Sequence, residues 1–113
     1  MFLIFDTETT GLPKKWNSPL TDFDNWPRAV QIAWQINSEE GQCISNESYV
    51  IYPEGYTIPY DSQNIHGIST QLAKKIGKNI NEARKIAYQV TNTVKYKNKF
   101  MRTYIALNYE EKK

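Results

Sequence analysis

The chain begins with an apolar run, and two further runs with β-strand character follow it. Residues 1–5 are all apolar, a pattern typical of a strand that is covered on both faces. Residues 29–36 alternate between two faces, which predicts a half-buried strand. Its apolar face comprises Val30, Ile32, Trp34 and Ile36. Residues 48–52 are rich in β-forming residues, and Pro53 ends them. The three runs predict an antiparallel meander.

Helical signals replace the strand signals in the middle of the chain. Asp61 is expected to cap a short helical turn that Gly67 ends, and Ser69 a second helix that Gly77 ends. Asn81 is expected to cap a third helix, whose apolar stripe recurs every four residues. That stripe comprises Ile86, Val90 and Val94. Strands followed by helices predict an α/β or α+β domain built on a mixed sheet.

Two segments have less regular patterns. Residues 10–27 are polar and punctuated by proline, which predicts a long loop. Its tryptophans, Trp16 and Trp26, could stack on nucleic-acid bases, but packing of the loop onto the sheet is the favoured interpretation. Near the end of the chain, residues 100–107 could form a strand, and residues 108–113 read as a polar end.

Length and composition restrict the class of protein. A chain of 113 residues fits one domain, and 40% hydrophobic with 23% charged residues argues against a disordered or collagen-like chain. The single cysteine, Cys43, excludes an internal disulfide framework and favours a reducing, cytoplasmic compartment. The longest purely apolar run is too short to span a bilayer, so no membrane partner is expected.

The charges divide the chain into an acidic and a basic part. Residues 1–68 contain 3 Lys/Arg and 9 Asp/Glu, a balance of −6, whereas residues 69–113 contain 11 and 3, a balance of +8. The basic part could contact the phosphates of a nucleic acid. Considered alone, it is better interpreted as a solvated helix face followed by a charged tail.

Two carboxylates follow the first apolar run. Asp6 and Glu8 stand at i and i+2, so on an extended chain their side chains leave the same face, about 6.5 Å apart along the strand. Two divalent cations about 3.5–4 Å apart can bind against such a pair, and Mg²⁺ prefers oxygen ligands. Gly11 then permits a tight turn whose N–H groups could meet a phosphate or a terminal sugar. The pattern favours metal-dependent phosphate chemistry.

The segment 5–12, Phe-Asp-Thr-Glu-Thr-Thr-Gly-Leu, resembles the first exonuclease motif of the DEDD superfamily of 3′–5′ exonucleases. This superfamily includes the epsilon proofreading subunit of bacterial replicative polymerases and ribonuclease T. Residues 30–34 resemble the second strand of that fold. Pro53, residues 58–59 and the His-Gly-Ile segment at 65–69 are similar to the epsilon-like branch. The similarity covers about residues 1–90.

The resemblance implies a ribonuclease-H-like mixed sheet with flanking helices. It also implies two Mg²⁺ or Mn²⁺ ions and hydrolysis of the terminal phosphodiester of a single-stranded DNA or RNA 3′ end, with release of nucleoside 5′-monophosphates. Asp6 and Glu8 become catalytic metal ligands by this resemblance. The implied substrate-binding residues are Thr9, Thr10, Gly11, Leu12 and His66. For His66, fixing its own turn is weighed equally with contacting the nucleotide.

The second half of the chain departs from the family pattern. The family has two more aspartates and a general-base histidine, whereas this sequence has no Asp after Asp61 and no His after His66. The later carboxylates, on Glu82, Glu110 and Glu111, lack the motif context. We therefore expect residues 1–95 to be the N-terminal part of an exonuclease domain, truncated there, and 96–113 to be a basic tail unlike the family. Metal binding should be weak and catalysis by this chain alone negligible.

Several hypotheses follow for the function. The chain is a truncated or frame-shifted gene product of an epsilon-like exonuclease, a non-catalytic nucleic-acid-binding module, or an interaction module that needs a partner. The partner could be a polymerase subunit or a second copy that associates through an exposed face of the sheet. A metal hydrolase of another kind, with two acidic ligands, is a further alternative, but it leaves the His-Gly-Ile similarity unexplained. The motifs do not decide between DNA and RNA.

Overall fold

The computed structural model describes residues 1–93, as a three-stranded antiparallel sheet followed by three helices. The elements are β1 (Phe2–Thr9), β2 (Ala29–Asn37), β3 (Cys43–Val50), α1 (Tyr60–His66), α2 (Thr70–Ile76) and α3 (Ile80–Thr93). This order confirms the predicted α/β class. None of the three helices has the length and apolarity that crossing a bilayer requires. Val94 of the predicted stripe, the possible strand at 100–107 and the expected tail at 96–113 lie outside the described residues.

The sheet has the order β1-β2-β3, so β2 is its central strand. Both pairings are antiparallel, as the meander prediction requires, and Phe5 of β1 lies opposite Trp34 of β2. β1 continues past its apolar run to Thr9, and β3 begins at Cys43, before the β-rich residues. Both strands extend beyond the residues whose side chains predicted them, because the backbone hydrogen bonds between strands do not depend on side-chain polarity.

Two hydrophobic clusters hold α2 and α3 against the sheet. One consists of Val30, Ile58, Ile68 and Ala73, all buried. The other contains Trp34 and Ile36, against which Ile86 and Val90 of α3 pack. The predicted apolar face of β2 is thereby confirmed, and so is the part of the α3 stripe within the described residues. Burial of these side chains fixes which face of β2 is inside, since a shift by one residue would reverse it.

The expectation that β1 is covered on both faces is wrong for the described part of the chain. Phe2, Ile4 and Phe5 are 57%, 59% and 68% exposed, and only Leu3 packs against a hydrophobic cluster. The physical reason is position: among residues 1–93, β1 pairs along one edge only. An apolar run indicates that side chains could be buried, but the elements that pack beside the strand determine which of them are buried.

Two predicted helix caps are each wrong by two residues. α1 begins at Tyr60 after Pro59, so Asp61 lies in the first turn, where its charge still favours the helix dipole. α3 begins at Ile80, and Asn79 rather than Asn81 caps it, because Asn79 Oδ1 accepts a hydrogen bond from Asn81 N at 2.8 Å. Asn79 and Asn81 are both capping residues near the start of α3, and the earlier asparagine is the one that caps the helix.

The other predicted helix boundaries are confirmed, with two different roles for glycine. Ser69 caps α2 by accepting a backbone hydrogen bond at 3.0 Å. Gly67 ends α1 in the left-handed conformation, with φ 77°. Gly77 ends α2 with an extended backbone instead. A Cβ at Gly77 would lie 2.6 Å from Tyr52 N and even closer to the carbonyl oxygen of Ala73, so this glycine permits close packing.

Candidate functional site

Asp6 and Glu8 lie on β1 itself, on the same face, as their spacing predicted. Their cross-strand neighbours are Ala33 and Gln31. Asp6 is exposed and Glu8 half-buried, and Asp6 Oδ1 accepts a hydrogen bond from Thr7 N at 2.9 Å. The two carboxylates are therefore available to a ligand that approaches the sheet face near the end of the strand.

The part of this face that β2 and β3 form includes polar, uncharged side chains. Gln31, opposite Glu8, donates its amide to Ser48 Oγ across the next strand at 2.8 Å, and Gln35 donates to Asn37 Oδ1 at 2.8 Å. Polar side chains of β2 and β3 thus continue the face on which the acids stand. Since β1, β2 and β3 contain no Lys, Arg or His residue, no side chain of these strands neutralises the acids.

The acids present do not complete a metal site. The described residues contain no group of three or more His, Cys, Asp or Glu side chains that could hold a metal ion. Mg²⁺ is usually held by one or two carboxylates together with waters and substrate phosphates, so this pair could supply the protein ligands of one ion. Within the described residues, no third acid, histidine or cysteine joins Asp6 and Glu8 to complete a two-ion centre.

The predicted turn after β1 forms, and it occupies the groups that were expected to meet a phosphate. Thr9 Oγ1 donates to the carbonyl oxygen of Gly11 at 2.8 Å and accepts from Gly11 N at 3.3 Å. Gly11 adopts φ 149°, with open space where a Cβ would be. Glycine is therefore required by backbone conformation rather than by close approach. The amide of Gly11 is directed to Thr9 in this conformation.

Thr10 joins three parts of the fold at the end of β1. Its amide donates to the carbonyl oxygen of Arg28 at 2.9 Å, and its hydroxyl accepts from Arg28 N at 2.9 Å. Its carbonyl oxygen accepts from Ser62 Oγ of α1 at 2.7 Å, and Ser62 is buried. The first turn of α1 is thereby fixed beside the turn that follows the two acids. Sequence reasoning missed Ser62, since nothing in the pattern connects it to a residue 52 positions away.

Leu12 follows this turn and His66 ends α1, in different environments. Leu12 is 81% exposed, so its side chain is available to a ligand. His66 is the last residue of α1, and its Nδ1 accepts from Ile68 N at 3.1 Å, which corresponds to the turn-fixing role. The other ring nitrogen, Nε2, is buried without a hydrogen-bond partner among the described residues. Contact of either residue with a nucleotide stays a prediction.

The two loop tryptophans differ. Trp26 is half-buried and donates from Nε1 to the carbonyl oxygen of Pro19 at 2.8 Å, so it stabilises the loop from inside. The favoured expectation of packing is wrong for Trp16, which is 75% exposed. Asn25, a buried residue of the same loop, was also missed. Asparagine is common in loops, and no sequence signal distinguishes a buried one.

Comparison with known proteins identifies solved structures with a similar fold. No family model matches the chain, and no curated protein matches it either. Escherichia coli exonuclease I in complex with a dT13 oligonucleotide is similar in structure, with a TM-score of 0.61 and 23% sequence identity. The match covers 79% of this chain and 18% of that chain. The same enzyme in complex with a dA16 oligonucleotide gives a TM-score of 0.62 at 22% identity, over 79% and 18% of the two chains.

These matches confirm the predicted fold class and nothing finer. The sheet and helices described above correspond to part of the ribonuclease-H-like nuclease domain of exonuclease I. The chain spans less than a fifth of that enzyme's length, since the match covers 18% of it. The structural likeness is to exonuclease I, whereas the motifs resembled the epsilon-like branch, so the branch stays a prediction. By its structure, the chain is a mixed α/β unit with the fold of part of an exonuclease.

Proposed function

We propose that this chain carries part of the active site of a 3′–5′ exonuclease and acts at the 3′ end of single-stranded DNA or RNA. The observation that carries this proposal is the placement of Asp6 and Glu8 on one face at the end of β1, directly before the Thr9–Gly11 turn. The likeness in fold to exonuclease I, whose structures include dT13 and dA16 complexes, supports it. The epsilon-like branch and the domain extent of 1–95 belong to the same proposal.

The proposed reaction is hydrolysis of the terminal phosphodiester. Water adds across the phosphorus–O3′ bond, which leaves a nucleoside 5′-monophosphate and a new 3′-hydroxyl on the shortened strand. In this proposal Asp6 and Glu8 are ligands of Mg²⁺ or Mn²⁺. The residues that border the terminal nucleotide are Thr9, Thr10, Gly11, Leu12 and His66. Because the ligand set is incomplete, hydrolysis by this chain alone is expected to be negligible.

A second candidate function is a non-catalytic module that binds nucleic acid or a protein partner. Its support is the exposure of Phe2, Ile4 and Phe5 along β1, beside a site with only two acids. The partner in this alternative is a polymerase subunit or a second copy of the chain. A monomer at high concentration would count against the second copy.

The decisive experiment combines metal binding with a degradation assay on the full 113-residue chain. Mn²⁺ binding is measured by calorimetry in wild type and in the Asp6→Asn/Glu8→Gln variant. The matched control is Asp22→Asn/Asp24→Asn, a second acid pair with the same spacing, exposed in the loop. We expect weak binding in wild type and in the control, and none in the Asp6/Glu8 variant.

The degradation assay uses a linear single strand and a covalently closed circle of the same sequence. Any mononucleotide release above background should need the linear strand and Mn²⁺, and should disappear in the Asp6→Asn/Glu8→Gln variant. Unchanged Mn²⁺ affinity in that variant would contradict the assignment of the ligands. Degradation of the circle would show an endonuclease instead.

A further inference from the structure

The loop between β1 and β2 presents two lysines and a tryptophan together at the surface. Lys14, Lys15 and Trp16 are consecutive and all exposed, with 75% of the Trp16 surface accessible. The other tryptophans of the chain are not displayed in this way, since Trp34 is buried and Trp26 is half-buried. The packing of the described residues therefore gives no reason for an apolar indole at position 16.

A buried asparagine holds this segment in place. Lys15 N donates to Asn25 Oδ1 at 2.7 Å, and Asn25 Nδ2 donates to the carbonyl oxygen of Lys15 at 2.9 Å. Lys14 N also donates to the carbonyl oxygen of Asn25, at 3.2 Å. Asn25 is only 6% exposed, so water competes little for these bonds. The backbone of Lys14 and Lys15 is fixed, while their side chains and that of Trp16 stay exposed, which lowers the entropy cost of binding a ligand there.

The two lysines supply most of the positive charge in the acidic part of the chain. They are two of the 3 Lys/Arg in residues 1–68. The third, Arg28, is engaged, because its guanidinium carbon lies 4.5 Å from the ring centroid of Tyr56. Neither lysine forms an ion pair within the described part of the chain. Two exposed ammonium groups beside an indole match the phosphates and bases of a single strand.

The loop starts where the proposed 3′-end site stops. Hydrogen bonds between Thr10 and Arg28 close its base, with Thr10 N to Arg28 O at 2.9 Å. Lys14 follows Glu8 by six residues, so their Cα atoms lie within about 20 Å of each other, the reach of an extended chain. A strand that ends near Glu8 could therefore extend over the loop.

We propose that Lys14, Lys15 and Trp16 form a contact surface for single-stranded nucleic acid. The indole stacks on a base, and the two ammonium groups contact neighbouring phosphates. This inference rests on the proposed function for the position of the 3′ end, but strand binding itself needs neither a metal ion nor hydrolysis. It can therefore be tested separately.

The test measures binding of the full chain to fluorescently labelled dT and rU oligonucleotides of equal length, in EDTA and at several salt concentrations. Trp16→Ala should weaken binding about tenfold, as expected for loss of one base stack, without changing the salt dependence. Lys14→Gln/Lys15→Gln should reduce the slope of log K against log salt by about 1.4, or 0.7 for each phosphate contact with a single strand. Quenching of Trp16 fluorescence by the oligonucleotide is an independent readout.

The matched control is Lys74→Gln/Lys75→Gln, which removes an adjacent pair of exposed lysines from α2. This control should keep the wild-type slope. Circular dichroism should show the same folded signal for all variants, because every replaced side chain is exposed. Equal losses for dT and rU would assign the contact to features that DNA and RNA share, and unequal losses would identify the preferred strand.

The inference is overturned if Trp16→Ala and Lys14→Gln/Lys15→Gln bind like wild type, or if the α2 control changes the slope equally. It is also overturned if wild type binds neither oligonucleotide at low salt, in which case the loop contacts another class of partner. If the proposed function is wrong, Asp6→Asn/Glu8→Gln should bind Mn²⁺ as wild type does. The oligonucleotide binding measured in EDTA would be unaffected by that result.

Discussion

Neighbouring strands of the sheet differ in a way that their hydrophobicity does not predict. β1 begins with four consecutive apolar residues, whereas β2 alternates. Nevertheless Phe5 of β1 is 68% exposed, while Trp34, its register partner on β2, is 4% exposed. β2 has a strand on each side and α3 against one face, and β1 has one strand partner among residues 1–93.

This difference separates two ways of holding a strand in place. β2 is held by packing, since Trp34 and Ile36 form a cluster with side chains of α3. The end of β1 is held by hydrogen bonds instead, which Thr10 makes to Arg28 and Ser62. The acids of the candidate site stand on the strand with less packing. A strand cannot both bury its side chains and expose functional groups. Here β2 supplies the buried side chains, and β1 supplies the exposed acids.

The largest expected effect comes from truncating each member of the Phe5–Trp34 pair. Trp34→Ala should lower the free energy of unfolding by about 3–5 kcal/mol, because it leaves a cavity in the cluster. Phe5→Ala should cost less than about 1 kcal/mol, since most of the ring is already in water. Urea unfolding of both variants measures the difference. Equal costs would show that Phe5 is covered by chain beyond residue 93 or by another molecule.

A smaller effect is expected where hydrogen bonds hold the end of β1. Ser62→Ala removes the donor to the Thr10 carbonyl oxygen and should cost about 1–3 kcal/mol if that oxygen stays buried and unpaired. Asn64→Ala, at an exposed position of the same helix, is the control and should change stability by less than about 0.5 kcal/mol. If both variants unfold at the same urea concentration, the link between β1 and α1 contributes nothing to stability.

A change of the exposed apolar side chains of β1 should leave stability almost unaltered. Phe2→Lys/Ile4→Lys is expected to stay within about 0.5 kcal/mol of wild type, because both side chains are more than half exposed. If copies of the chain associate through this face, the variant should be more monomeric in sedimentation velocity. A marked loss of stability without a change in mass would place the rest of this chain against β1.

The smallest effect is a pH dependence on the covered face. Partial burial, and then the hydrogen bond to Glu47 and its charge, raise the pKa of Tyr49, which packs beside Trp34 with ring centroids 5.4 Å apart. A raised pKa in the folded state means that this contribution is fully present below pH 10 and is lost as the pH rises through the folded value. Tyr49→Phe should unfold with less pH dependence above pH 10. Identical pH profiles for the two proteins would show that Tyr49 makes no pH-dependent contribution to stability.

Sequence patterns predicted local features well and caps approximately. The alternation of β2 identified its buried face, and the spacing of Ile86 and Val90 identified the side of α3 that packs. Glycine and serine predicted the ends of α1 and the start of α2. The cap at Asp61 was misplaced because α1 begins directly after Pro59, with no side-chain cap. The cap at Asn81 was misplaced because two asparagines, Asn79 and Asn81, stand near the start of α3. Only backbone geometry selects which one meets the free amides.

For the candidate site, the sequence determined the acids and their spacing, since extension of the chain alone puts Asp6 and Glu8 on one face. It also determined that later acids of the family pattern are missing. Tertiary structure alone decided that α1 is joined to the turn through Ser62 and Thr10, and that Asn25 holds Lys15 while Trp16 stays exposed. These are contacts between residues distant in sequence. A linear pattern records which groups could pair, and only the folded chain brings particular donors within reach of particular acceptors.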